Sequence, residues 1–164
     1  MPDNTDDTTL RTILENSQTI AMVGASTNPV RPSLFVATYL NSRGRRVIPI
    51  NPAQAGQELF GEPVLASISE IPKGTKVDML DIFRRSEAVP EIVDEALAHL
   101  MPDLKYIWMQ YGVRHAEAAE KAREAGLIVV EDRCPKVEHM RLLGGTNLAG
   151  LGGGRISSKL PSGR

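Results

Sequence analysis

Short apolar runs alternate with amphipathic segments along most of the chain. Apolar runs of the kind found in strands buried on both faces predict β-strands at 19–23, 46–50, 77–83, 104–109 and 127–131. Apolar residues at helical spacing predict helices at 32–42, from Ser86 to about Leu100, at 114–125 and from about Pro135. Pro49 predicts an edge or irregular position for the second strand. This alternation predicts a Rossmann-like, doubly wound parallel sheet of about five strands with helices on both faces.

The alternating pattern stops before either end of the sequence. Residues 1–9 are polar and acidic, and seven of the 14 glycines fall between Gly144 and Gly163 in a stretch without an apolar period. We therefore expect one domain over residues 10–143, a flexible N-terminal tail at 1–9 and a flexible Gly-rich tail at 144–164.

Composition and charge exclude several classes of protein. The chain is 41% hydrophobic and 24% charged, as is usual for a globular domain. A net charge of -1 provides no basic field for nucleic acid or an anionic membrane. No apolar run approaches the ~20 residues of a membrane-spanning helix, and the polar N-terminus lacks a signal-peptide layout, so we expect a cytoplasmic protein. One cysteine cannot form an internal disulfide, and no zinc-type spacing appears, so no metal site is expected.

The turn after the first predicted strand, VGASTNPVRPS at 23–33, carries the clearest candidate chemistry. Gly24 and Ala25 allow a close approach of the backbone, and free amides at a helix N-terminus bind anions. Side chains able to add hydrogen bonds or charge follow at Ser26, Asn28, Arg31 and Ser33. The turn predicts a phosphate site, although an ordinary turn with a serine cap would use similar residues, because the full G-x-G-x-x-G pattern is absent.

The other predicted strand ends add candidates, since ligands of such sheets bind at the carboxyl ends of the strands. Asn51 and Pro52 stand where an NAD site usually has an acidic residue for the ribose. Arg45, at the start of the second strand, would suit a phosphomonoester such as the 3′-phosphate of coenzyme A, or is simply a solvated residue. The third and fourth strands contribute Phe83, Arg84, Arg85, Gln110 and Gly112. Both arginines precede a helix N-terminus, where an anion would offset their unfavourable position.

Five segments together resemble the stand-alone bacterial CoA-binding proteins, which are similar to the N-terminal domain of the succinyl-CoA synthetase alpha subunit. They are VGASTNPVRPS at 23–33, VIPINP at 47–52, DIFRRSE at 81–87, WMQYGV at 108–113 and EDRC at 131–134. The resemblance implies a Rossmann-like fold with coenzyme A lying across the strand ends and its phosphates at the first turn. It further implies that Arg45 contacts CoA and that Asp81, Ile82 and Phe83 pass along the nucleotide.

The resemblance implies a ligand and not an activity. His99, His115 and His139 lie in predicted helices and form no counterpart to the phosphate-carrying histidine of the synthetase. No nucleophile elbow, His–carboxylate pair or metal ligand set is visible. We expect a non-catalytic module that binds CoA or an acyl-CoA. An NAD(P)-dependent oxidoreductase and an acyl-CoA ligase-related enzyme are the alternatives.

Cys134 is a candidate redox thiol. It lies beside Arg133 and before Pro135, at the predicted start of the last helix, where a thiol pKa can be lowered. Under oxidising conditions such a thiol would form a reversible mixed disulfide with CoA. The other interpretation is a half-buried structural cysteine that caps the helix.

Overall fold

A five-stranded parallel sheet forms the centre of the molecule in the computed structural model, which describes residues 5–144. Its strands are β1 (Thr19–Val23), β2 (Arg46–Ile50), β5 (Met79–Ile82), β6 (Tyr106–Met109) and β7 (Ile128–Val130), in the order β2-β1-β5-β6-β7. All neighbouring pairs are parallel. An antiparallel hairpin of β3 (Glu58–Leu59) and β4 (Glu62–Pro63), which the pattern did not predict, follows β2. The predicted Rossmann-like α/β fold is confirmed, and β2 is the edge strand that Pro49 indicated.

Helices cover both faces of the sheet. They are α1 (Asp7–Asn16), α2 (Pro32–Ser42), α3 (Val89–His99), α4 (Ala116–Glu124) and α5 (Pro135–His139), with a π-helical turn at Met140–Gly144. α1, α2 and α5 pack on the face that buries Met22 and Trp108, and α3 and α4 pack on the face that buries Leu80 and Ile107. Central strands are therefore buried on both sides, which explains their continuous apolar sequence. None of the helices within residues 5–144 is long and apolar enough to cross a bilayer.

Helix α1 corrects the predicted N-terminal boundary. Residues 7–9, which we expected in a tail, form its first turn, and Asp6 caps the helix by accepting a hydrogen bond from the Thr9 amide at 2.8 Å. Leu10 of this helix is fully buried, and Asp7 pairs with Arg141 at 2.8 Å. The sequence pattern did not predict this helix because its first turn is polar. Its few apolar residues can be assigned to a helix face only once their contacts with the core are known. Residues 1–4 and 145–164 of the predicted tails lie outside the described residues.

The ends of β1 and β5 meet in a tight joint. The Phe83 amide donates to the Val23 carbonyl at 2.8 Å, and Gly24 follows Val23 with a φ of +90°. A Cβ atom on Gly24 would lie 2.2 Å from the Phe83 carbonyl oxygen. Glycine is required here both by the backbone conformation and by the space available.

Helices α2 and α5 are joined by an aromatic pair of half-buried Tyr39 and buried His139. The Tyr39 hydroxyl and His139 Nδ1 are 2.8 Å apart, and the two rings meet edge to face at 5.4 Å. Burial disfavours the imidazolium form, and Arg45 and Arg43 repel it, which together lower the pKa of His139 to about 4. The ring is therefore neutral in the folded protein at neutral pH.

The first prediction concerns acid stability. The unfolded-state pKa of histidine is near 6.5 and the folded-state pKa of His139 is near 4, so this residue destabilises the fold progressively as the pH falls between these values. Between about pH 7 and pH 5 the wild type should lose about 1–2 kcal/mol more unfolding free energy than His139→Gln, since one pKa unit corresponds to about 1.4 kcal/mol. Urea unfolding at a series of pH values measures this difference. Exposed His99 provides the control, because His99→Gln should retain the wild-type slope.

The second prediction separates space from backbone conformation at two glycines. Gly24→Ala should cost about 3–5 kcal/mol, because it combines a strained φ with overpacking against Phe83. Gly112 has a φ of +79° and no atom within 4 Å of a Cβ position, so Gly112→Ala should cost only about 1–2 kcal/mol. Chemical denaturation measures both losses. Equal losses of unfolding free energy in the two variants would show that the Phe83 carbonyl can move away from the new Cβ atom at little cost.

Candidate functional site

The connections that follow β1 and β5 leave the sheet in opposite directions. Residues 24–31 lead from β1 to α2 on one face, whereas residues 83–88 lead from β5 to α3 on the other. Neighbouring parallel strands whose connections diverge create the topological switch point at which open α/β sheets bind ligands. Residues 24–33 and 83–86 are called the switch-point site below.

The loop after β1 is shaped by its own polar side chains. Ser26 Oγ accepts a hydrogen bond from the Asn28 amide at 3.0 Å, and Asn28 Oδ1 accepts one from the Val30 amide at 3.1 Å. The Asn28 carbonyl in turn accepts from the Arg31 amide at 3.0 Å. Such local bonds stabilise turns. In this structure the side chains of Ser26 and Asn28, both predicted to face a ligand, hold the loop in its conformation.

Residues after β2 attach this loop to the sheet. Asn51 Nδ2 donates to the Ala25 carbonyl at 2.8 Å, and Gln54 Oε1 accepts from the Thr27 amide at 2.9 Å. Pro52 begins a short 3-10 turn and is exposed. Sequence reasoning placed Asn51 here but missed Gln54. No local signal marks Gln54, because its partner is 27 positions away in the sequence.

Several hydrogen-bond donors of the switch-point site have no acceptor. Within residues 5–144, none is found for the amides of Ala25, Ser26 and Ser33 or for the Ser33 hydroxyl. These residues are only 1%, 6% and 4% exposed. Buried donors without partners are rare and cost free energy. A ligand rich in acceptors, such as a phosphate at the N-terminus of α2, would satisfy them.

Three arginines belong to the switch-point site. Arg31 precedes Pro32 at the start of α2, while Arg84 and Arg85 follow Phe83 at the end of β5. All three are exposed, and their side chains make no hydrogen bond or ion pair with any other described residue. Phe83 itself is half-buried beside Gly24. The site is locally basic although the whole chain is not.

Asp81 and Ile82, which the resemblance places along the nucleotide, have their side chains inside the core. Both have 0% exposure, because β5 is a central strand covered on both faces. Burial raises the pKa of the Asp81 carboxyl well above its usual value. With its nitrogen turned toward Asp81, the Gln110 amide donates to Oδ1 at 3.0 Å and to Oδ2 at 3.3 Å. Asp81 thus orients Gln110, which is itself 5% exposed at the end of β6.

Gly112 lies in the turn after β6, where its φ is +79°. Its amide donates to Asp132 Oδ1 at 2.6 Å, and the space beside its Cα is open. This bond and the Arg114 guanidinium, 3.0 Å from Asp132, lower the pKa of the Asp132 carboxyl. Ser86, the predicted first residue of the helix after β5, accepts a hydrogen bond from the Arg114 amide at 3.0 Å. The turns after β5, β6 and β7 are thereby joined.

Arg45 is not brought together with the other predicted ligand residues. It precedes β2, whose first residue pairs with Thr19, whereas Gly24 lies beyond the opposite end of β1. At about 3.3 Å per residue, Arg45 and Gly24 are about 15–20 Å apart along the strands. The Arg45 guanidinium donates to the Leu14 carbonyl at 2.8 Å and to the Arg43 carbonyl at 3.2 Å. Its contact with CoA stays a prediction from the resemblance.

Cys134 is a core residue at the start of α5. It is 6% exposed, packs with the apolar residues under α1 and α2, and makes no side-chain cap bond with the helix. A mixed disulfide with CoA would require this region to open. The structure therefore favours the structural interpretation of this cysteine, although without the expected capping bond.

Comparisons with known proteins relate the chain to proteins that have this architecture. A family model described as a CoA binding domain matches residues 18–140. The uncharacterized protein YneT of Bacillus subtilis is 35% identical over 130 residues, which cover 79% of this chain and 91% of YneT. The structure of cell-free ID.343 from Thermus thermophilus is 43% identical, with a TM-score of 0.78 over 84% of this chain and 99% of that one.

A larger protein contains a similar domain. The dinucleotide forming acetyl-coenzyme A synthetase 1 of Ca. Korarchaeum cryptofilum, in complex with phosphate and ADP, is 26% identical with a TM-score of 0.57. The similarity covers 68% of this chain and 25% of the synthetase. The range matched by the family model includes the whole sheet and the switch-point site, and the resemblance seen in the sequence is confirmed. The chain belongs to the CoA-binding domain family.

Proposed function

We propose that this protein binds coenzyme A at the switch-point site. The observation that supports the proposal is the group of buried donors without acceptors, namely the amides of Ala25, Ser26 and Ser33 and the Ser33 hydroxyl. The pyrophosphate of CoA would supply acceptors for them, and Arg31 would add a charge-assisted bond. The match to the CoA binding domain supports this choice among phosphate-bearing ligands.

The end of β2 favours CoA over NAD. An NAD site usually has an acidic side chain here to bond the ribose hydroxyls. Asn51 occupies the position, and its amide is committed to Ala25 and Ala53 of the loops it joins. A ribose clamp of the NAD type is therefore missing, which argues against an oxidoreductase.

We further propose that the module binds its ligand without transforming it. Several polar side chains at or near the site already have structural tasks, since Asn28 and Gln54 hold the first loop and Asp81 orients Gln110. The likeness to acetyl-coenzyme A synthetase concerns one quarter of that protein, so it supports the ligand and not the reaction. A carrier, sensor or regulatory role for bound CoA, in the cytoplasm, fits this arrangement.

The third prediction tests the ligand. CoA should raise the melting temperature of the protein, because a ligand that binds only the folded state stabilises it by about 2.7 kcal/mol at 100 times its Kd. NAD at the same concentration should stabilise much less. Thermal unfolding followed by circular dichroism, with Kd values from calorimetry, provides the measurement. Equal or greater stabilisation by NAD would refute the assignment of CoA.

The fourth prediction tests the site with two serines of the same helix. Ser33→Ala removes a buried hydroxyl that has no partner, so the protein without ligand should be unchanged or more stable by up to about 1 kcal/mol. CoA affinity should nevertheless fall about tenfold, the effect of losing one hydrogen bond to a charged group. The control is Ser42→Ala at the other end of α2, whose hydroxyl donates to the Tyr39 carbonyl at 2.6 Å. The Ser42→Ala control should leave CoA affinity unaltered. Wild-type CoA affinity in Ser33→Ala would show that the ligand does not bind at the N-terminus of α2.

A further inference from the structure

We propose that Arg84 and Arg85 bind the 3′-phosphate of coenzyme A and thereby select CoA over dephospho-CoA. This inference rests on the proposed function. The inference places the 3′-phosphate at residues 83–86, which follow β5, and the pyrophosphate at the loop after β1.

The first argument is the position of the two arginines. The Phe83 amide donates a hydrogen bond to the Val23 carbonyl, and Phe83 lies against Gly24. The backbone of Arg84, the next residue, therefore lies close to the loop after β1. Both arginines follow the carboxyl end of β5, the central neighbour of β1. A ligand anchored at the N-terminus of α2 would therefore have the two guanidinium groups next to it.

The second argument is that their charge is uncompensated. Arg84 and Arg85 precede the 3-10 turn Ser86–Ala88 and helix α3, whose N-terminal end carries the positive end of the dipole. Two cations at this end are unfavourable. Their side chains have no ion pair in the described part of the chain, and the nearby acid Glu87 is exposed and bonds neither. A phosphomonoester, with a charge of about −1.5 to −2 at neutral pH, would offset this repulsion.

The third argument is that the other basic candidates have different positions. Arg45 lies at the amino edge of the sheet and its guanidinium is bonded to the Leu14 and Arg43 carbonyls. Arg31 lies at the start of α2, beside the donors assigned to the pyrophosphate. Of these four arginines, only the pair after β5 is exposed, has no ion pair within residues 5–144 and is separate from the pyrophosphate position.

The experiment compares the affinities of CoA and dephospho-CoA by calorimetry in a set of variants. The wild type should prefer CoA by about tenfold or more, as expected for a charge-assisted contact. Arg84→Ala/Arg85→Ala should bind both ligands about equally, with its affinity for dephospho-CoA within about twofold of the wild type. Arg84→Lys/Arg85→Lys, which keeps the charge but loses the planar fork, should restore part of the preference.

Two further variants make the test specific. Lys105→Ala removes an exposed cation from the amino edge of the sheet, before β6, and should leave the preference intact. Arg31→Ala should weaken CoA and dephospho-CoA by the same factor, because both ligands carry the pyrophosphate. Since Arg84 and Arg85 are exposed and their charges oppose the helix dipole, their alanine variants should melt at or above the wild-type temperature without ligand.

The outcomes separate this inference from the proposed function. If the wild type binds neither ligand, the proposed function fails. If the wild type binds both ligands equally, or if the double alanine variant keeps the preference for CoA, the arginine assignment is overturned while CoA binding stands. Loss of the preference in Arg45→Ala alone would likewise overturn it and would support the contact implied by the family resemblance.

Discussion

The contact between Gly24 and the backbone of Phe83 determines the geometry of the whole carboxyl edge. Because no side chain separates them, the end of β1 lies directly on the end of β5, and the Phe83 amide closes the joint by bonding Val23. The Gly24 amide bonds the Ile50 carbonyl at 2.8 Å on the other side. Three strand ends are thus held together at one glycine. The loops that diverge from this joint form the two walls of the switch-point site.

The first loop is held by hydrogen bonds, whereas some donors beside it are unsatisfied. Asn28, Asn51 and Gln54 use their side chains to hold the loop after β1, while the donors of Ser33 have no acceptor among residues 5–144. A loop whose conformation is fixed before binding loses little entropy when a ligand arrives. A ligand with acceptors at this position would also relieve the cost of the buried donors. Pre-organisation and unsatisfied polarity therefore both favour binding of an anion at the N-terminus of α2.

The two edges of the sheet use arginine for different purposes. At the amino edge, Arg45 donates to the Leu14 carbonyl in the last turn of α1 and contributes to the field that keeps His139 neutral. At the carboxyl edge, Arg31, Arg84 and Arg85 carry charge that no other described side chain neutralises. Their sequence contexts are alike, since each is an arginine near an element boundary. What distinguishes a structural arginine from one available to a ligand is the edge of the sheet at which it lies and the hydrogen-bond partners present there.

The sequence by itself determined the class of fold, the order of its main elements and the turn at Gly24. These follow from local properties: burial on both faces produces continuous apolar strands, and a tight strand-to-helix turn requires glycine. It also indicated an edge position for β2, because Pro49 has no amide to donate. Tertiary structure alone decided that residues 7–9 belong to α1, that Asp81 is interior, that Arg45 lies at the far edge and that Gln54 holds the first loop. The partners of these residues are distant in the chain, and no local period records whether a polar side chain meets solvent, a ligand or a carbonyl of another element.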